Sequence, residues 1–170
     1  MNNDKIRKLV WAGLFTALTT VATMLIRIPS PLGGYVNAGD AVVVLAAFLL
    51  GPVWGAVAAG LGSALSDILA SYIVYAPATL VIKALMALAA GAILRSAKKK
   101  NAISATVLGS VSAELIMIVG YFAYEATVLG YGLAAIANVP ANCAQAVFGA
   151  VAGTALFYAL LRIPYVQKNF

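Results

Sequence analysis

The chain has 170 residues, 64% of them hydrophobic and 9% charged, with a mean hydropathy of +0.99; soluble domains run at about 45–50% apolar and about 25% charged, so lipid is the expected solvent. Its 11 Lys+Arg outweigh 5 Asp+Glu, yet the bases stand at the ends of apolar runs rather than on a stripe interleaved with aromatics, which argues against a nucleic-acid partner. With no histidine, a single cysteine (Cys143) and no G-x-x-x-x-G-K-[ST] loop, disulfide frameworks, Cys/His zinc sites, His-based triads and ATP binding by this chain are excluded. No catalytic residue, cofactor or metal site is expected.

Lys5, Arg7 and Lys8 precede Leu9–Ile26, a run of 18 residues without a charge. Secretory h-regions are about 7–15 residues, so this run is predicted as a first spanning helix, about residues 7–27, rather than a cleaved leader. The loop RIPSPLGGYVNAGD follows, with two prolines and the adjacent Gly33 and Gly34. Proline fixes φ and glycine permits positive φ, which marks an ordered turn or lid. Helix two, about 39–50, has an apolar core, Ala41–Leu50, shorter than the ~20 residues of a full crossing. Gly51-Pro52 turns it directly into helix three, about 53–71. Helices four, five and six are predicted over about 77–95, 103–125 and 137–160. The expectation is an all-α membrane protein, one domain over residues 1–170, with six transmembrane helices.

With the N-terminus in the cytoplasm, Lys5, Arg7, Lys8, Arg95, Lys98, Lys99, Lys100, Arg162 and Lys168 all lie inside, while Arg27 flanks an outside loop and Lys83 lies within helix four. The positive-inside rule selects this orientation, with both termini cytoplasmic. Small residues recur at four-residue spacing: Gly51/Gly55, Ala56/Gly60/Ala64, Gly109/Ala113 and Gly149/Gly153. Such stripes let backbones approach closely in lipid.

Charged groups inside a membrane face a bundle interior or a watery cavity. At 1.5 Å per residue, Asp67 lies roughly 20 Å above the inner start of helix three and Lys83 about 9 Å below the outer start of helix four. The similar depth predicts that they could pair. Glu114, Tyr121 and Glu125 share one face of helix five, and Asn138, Asn142 and Gln145 form an i, i+4, i+7 stripe on helix six. The outside loops add Tyr35, Asn37, Asp40, Tyr72, Tyr75, Tyr124 and Tyr131. A lidded pocket in the outer half accounts for this convergence; the bland reading is interhelical hydrogen bonds, a neutralised pair and an interfacial tyrosine belt. Candidate ligand contacts are Asn37, Asp67, Tyr75, Lys83, Glu114, Tyr121, Glu125, Asn138, Asn142 and Gln145. Asp40 is read as a cap of helix two.

The segments RKLVWAGLFTALTTVATM, PSPLGGYVNAGD, Gly51-Pro52 and GLGSALSDILASYIVYAPATLVIKALMALAAG resemble the substrate-binding S components of energy-coupling factor (ECF) transporters, in the branch of riboflavin-type members. The resemblance covers nearly the whole chain. It implies a non-enzymatic subunit in a bacterial plasma membrane that holds a vitamin between the first loop and the outer parts of helices four to six. A transmembrane coupling subunit and two cytoplasmic ATPase subunits would be its partners. Members carry an Ala-x-x-x-Ala stripe for docking on helix one, and Gly13 and Ala17 stand at those positions. Amides and tyrosines suit a planar heterocycle with hydroxyl or amino groups: pyridoxine or hydroxymethylpyrimidine first, then riboflavin, with pantothenate allowed by Lys83. The competing function is a stand-alone carrier coupled to protons through Glu114 or Asp67.

Overall fold

The computed structural model describes residues 3–98 and 102–169; Lys99 and Lys100, expected on the cytoplasmic side, lie outside the described residues. In chain order it contains α1 (Asn3–Leu25), β1 (Arg27–Pro29), β2 (Tyr35–Asn37), α2 (Gly39–Leu50), α3 (Pro52–Leu69), α4 (Ala76–Ser96), α5 (Ala102–Thr127), a 3₁₀ helix (Gly132–Asn138), α6 (Val139–Leu160) and α7 (Pro164–Asn169). All six expected helices are present. Pro52, Pro77 and Pro140 fall in the first turns of α3, α4 and α6, where the missing N–H would have no helical partner anyway. Asn138, predicted inside helix six, instead closes the 3₁₀ turn ahead of Pro140.

Among the described residues, five helical segments are long and apolar enough to cross a membrane: α1, α3, α4, α5 and the combined 3₁₀–α6 unit. Their outward Leu, Ile and Val side chains, such as Val10, Val53, Val107 and Val151, are exposed, as side chains facing acyl chains must be. The remaining apolar helix, α2, has 12 residues and every one is buried. Its length of about 18 Å falls short of the ~30 Å hydrocarbon layer. A helix that is apolar all round belongs in a core, and α2 packs against α1, α3, α4 and α6 as the central post of the bundle.

Both ends of α2 are closed by other elements. At its C-terminus Gly51 turns with φ 81°, and Arg95 donates from Nη2 to the Leu50 carbonyl at 3.0 Å, so a helix end buried from water keeps a donor. At its N-terminus the RIPSPLGGYVN segment forms an antiparallel hairpin, Arg27↔Asn37, Ile28↔Val36 and Pro29↔Tyr35. Its turn uses Gly33 and Gly34 at positive φ. The predicted lid is therefore a short β-hairpin lying over the top of the bundle.

Small residues set how closely the helices approach. A Cβ at Gly91 of α4 would lie 2.7 Å from the Pro52 nitrogen and 2.9 Å from the Ala47 carbonyl oxygen, both backbone atoms, whereas one at Gly13 of α1 meets nothing within 4 Å. Gly91→Ala is therefore expected to destabilise the bundle by about 1–3 kcal/mol, the overpacking range, and Gly13→Ala by less than about 0.5 kcal/mol. Thermal unfolding of the two variants in detergent checks this; equal midpoints would contradict the close approach of α4 to the α2–α3 turn.

Candidate functional site

The floor of the site is an ion pair at the head of α2. Asp40 and Lys83 are 0% and 2% exposed, and Lys83 Nζ donates to Asp40 Oδ1. The second Asp40 oxygen accepts from Gln145 Nε2 at 2.6 Å, while Gln145 Oε1 accepts the backbone N–H of Asn37 at 2.6 Å. The Tyr121 ring lies 5.5 Å from Lys83 Nζ, and its hydroxyl bonds Thr79 Oγ1 at 3.0 Å.

Two expectations are corrected here. The hydrogen-bonded partner of Lys83 is Asp40, not Asp67, because similar depth on neighbouring helices does not set the direction of a side chain, and Asp40 stands between α4 and α6. Nor is Asp40 a cap: the position before α2 is Ala38, which makes no side-chain cap, and the Gly39 N–H donates to Asn37 Oδ1 at 2.8 Å.

The hairpin forms the roof. Tyr35 donates to Asp67 Oδ1 at 2.6 Å and lies 3.3 Å from Ser66 Oγ. Asn138 accepts the Leu32 N–H at 3.1 Å and donates to Glu125 Oε1 at 2.9 Å, which also accepts from Tyr75 at 3.3 Å. A Cβ on Gly34 would sit 3.1 Å from the Tyr75 ring, so the turn rests directly on that tyrosine. Burial first, and then the adjacent Asp67, pushes the Tyr35 phenol above its ordinary pKa; burial and then Glu125 do the same to Tyr75. Both hydroxyls therefore remain protonated donors. The ring contact of Tyr35 with Tyr72 (4.7 Å) ties the hairpin to the α3–α4 turn, and that of Tyr75 with Tyr124 (5.9 Å) ties the turn to α5.

Between floor and roof lies a cavity of about 30 Å³, room for about two waters. Eight of the predicted residues line it: Asn37, Asp67, Tyr75, Lys83, Tyr121, Glu125, Asn142 and Gln145. Asn138 lies outside the lining and holds the roof. Glu114 is also outside it, buried against Gly149 and Asp40, since a Cβ on Gly149 would stand 2.3 Å from Glu114 Oε1 and 2.7 Å from Asp40 Cβ. The lining also includes Thr23, Ser63 and Thr79, which the sequence reading missed. Ser63 and Thr79 stand four residues before Asp67 and Lys83, the spacing that stacks side chains on one face. Among the described residues, no group of three His, Cys, Asp or Glu could hold a metal ion. On the far side of α1, Gly13 and Ala17 are exposed and face away from the bundle.

The family model of the ECF-type riboflavin transporter S component matches residues 3–162. The chain belongs to that family. S components are the substrate-binding subunits of ECF transporters, and this one is a membrane protein of vitamin transport rather than an enzyme. It is 38% identical over 142 residues to an uncharacterised protein of Pyrococcus woesei, an alignment covering 83% of this chain and 93% of that one. Its fold is similar to the S component of a bacterial ECF transporter, with a TM-score of 0.70 at 20% identity, covering 93% of this chain and 97% of the other. It is also similar to the biotin S component of an ECF-type ABC transporter, with a TM-score of 0.56 at 18% identity and coverages of 92% and 93%.

Removing one member of a buried pair strands a charge. Asp40→Asn or Lys83→Met alone is expected to cost about 3–5 kcal/mol, and the double variant less than the sum. The Asp67/Lys83 cycle should show a clearly smaller coupling. Unfolding of each set of four proteins measures both, and additivity at Asp40/Lys83 would contradict the pair.

Proposed function

We propose that this S component captures a small vitamin or vitamin precursor at the outer face of the plasma membrane. It passes the ligand inward together with a transmembrane coupling subunit and two cytoplasmic ATPase subunits. The observation that carries the reading is the cavity at the hairpin end of the bundle, where side chains from α1, α3, α4, α5, α6 and the hairpin converge on one polar space. Family membership supports it, and disfavours a self-sufficient proton-coupled carrier.

The orientation follows from charge. Lys5, Arg7, Lys8, Arg95 and Lys98 cluster at the end opposite the hairpin, and the positive-inside rule supports reading that end as cytoplasmic and the cavity as outward. With α2 counted as an internal sixth segment, both termini lie inside. The ligand is read as a small heterocycle, pyridoxine or hydroxymethylpyrimidine first and riboflavin next, with the acyclic carboxylate pantothenate as the alternative that Lys83 would allow. Ligand pockets commonly measure about 300–1,000 Å³, so the cavity is the closed form of the site and entry requires the hairpin to lift, with Gly33 and Gly34 as hinges.

Native mass spectrometry of gently purified protein is expected to show one small heterocycle retained. Asn142 lines the cavity from α6, and Asn142→Ala should weaken binding of that molecule by about 1–3 kcal/mol with the unfolding midpoint of the ligand-free protein unchanged. Unchanged affinity would remove Asn142 from the site.

Docking is tested separately. Because Gly13 and Ala17 face outward, Gly13→Trp and Ala17→Trp should leave ligand affinity intact and abolish ATP-dependent uptake by the reconstituted complex, as expected for a small-residue helix contact in lipid. Normal uptake in both variants would overturn the docking assignment.

A further inference from the structure

The hydrogen-bond inventory of the cavity is lopsided, and the imbalance describes what the site can hold. Asp67 spends Oδ1 on Tyr35, while its Oδ2 is buried without a partner. Glu125 spends Oε1 on Asn138 and Tyr75, while its Oε2 is buried without a partner. The hydroxyl oxygens of Thr23 and Ser63, on the same lining, are also unpartnered. All four residues are at most 4% exposed. Buried acceptors left without donors are costly, and native proteins leave few of them outside sites that act on something.

The charges point the same way. The lining contains Asp67, Glu125 and Lys83, but Lys83 is neutralised by Asp40 beneath it. Both carboxyl groups accept a hydrogen bond from a neutral donor on one oxygen, Tyr35 at Asp67 and Asn138 at Glu125, and keep the other oxygen without a protein partner. Arg27, the hairpin cation, lies over the Tyr35 ring at 5.8 Å and is not part of the lining. An anionic ligand would meet two carboxylates and no free cation.

We propose that the site selects a heterocycle that carries amino or other N–H donors, neutral or cationic, gripped between the free oxygens of Asp67 on α3 and Glu125 on α5. This rests on the reading of the cavity as the ligand site and narrows it: an amino-bearing ring satisfies the site, and a carboxylate does not. Asp67 and Glu125 hold the donors at two separate points, Ser63 and Thr23 accept from further N–H or O–H groups, and the Tyr121 and Tyr75 rings flank the ring plane. Each carboxylate also fastens the roof, Asp67 through Tyr35 and Glu125 through Tyr75, so donor recognition and closure share the same two side chains.

The test is direct binding to the full-length protein in detergent micelles by calorimetry. The donor-bearing probes are hydroxymethylpyrimidine, pyridoxamine and thiamine; the carboxylate probes are pantothenate and biotin. At least one donor-bearing probe is expected to bind, and neither carboxylate probe should bind or compete with it. Asp67→Asn and Glu125→Gln keep shape and one acceptor oxygen, so each should fold normally, as unfolding midpoints will show, and weaken the bound probe by at least about tenfold, the loss for leaving a buried hydrogen-bonding group unsatisfied. Binding of pantothenate or biotin in preference to every donor-bearing probe would overturn the inference. So would donor-probe affinities unchanged in both folded variants, or binding of no donor-bearing probe at all. The capture reading fails on a different result: no molecule retained in native mass spectrometry and no effect of Asn142→Ala on any probe that binds.

Discussion

The Asp40–Lys83 ion pair is the constraint on which the arrangement turns. Two opposite charges at 0% and 2% exposure, inside a molecule surrounded by lipid, survive only as a pair with their other polar atoms satisfied. That requirement places the head of α2 against α4, and the Gln145 contact to the second Asp40 oxygen adds α6. Because Gln145 also accepts the Asn37 N–H, the hairpin is held in the same network. A single buried pair thus sets the relative height of three helices and seats the roof above them.

Around that point the chain solves a packing problem peculiar to lipid, where apolar burial supplies little drive for helices to associate. Its solution is a short helix enclosed on all sides by longer ones. The outer helices carry large aliphatic side chains outward and Gly or Ala inward: a Cβ on Gly55, Gly109 or Gly153 would stand about 3 Å or less from atoms of α2 or α4. Close backbone contact substitutes for the hydrophobic drive. It also explains why α2 can be too short for the bilayer, since it contacts protein along its whole length.

The helices were legible because lipid imposes long apolar runs, and the Gly51-Pro52 turn because both residues have a fixed backbone meaning. The convergence of polar residues was legible from spacing: Asn142 and Gln145 on α6, and Tyr121 and Glu125 on α5, do meet at one cavity. What spacing could not provide was azimuth. Rise per residue gives the height of Lys83 but not which of its neighbours it faces, so depth alone points to Asp67 where the structure has Asp40. Hydroxyls were hidden for another reason. Thr and Ser in apolar helices commonly bond the carbonyl one turn back, as Thr16, Thr19 and Ser110 do here, so Thr23 and Ser63, which make no such bond, look the same in sequence. The hairpin strands, three residues each, are too short to show alternation.

The roof is attached across the cavity by the contacts Leu32 to Asn138, Tyr35 to Asp67 and Asn37 to Gln145. If the hairpin lifts as proposed, a net value near 1 kcal/mol for each contact makes its release cost about 2–4 kcal/mol and leaves the ligand-free protein open roughly 0.1–3% of the time. Arrival of a ligand is slowed by that fraction, as for any partner that must wait for a minority conformer. Departure is slowed by the same fasteners. In the proposed capture cycle the hairpin therefore lengthens the dwell time of a captured molecule, the interval during which a slower energy-coupled partner would act, at the expense of the speed of capture.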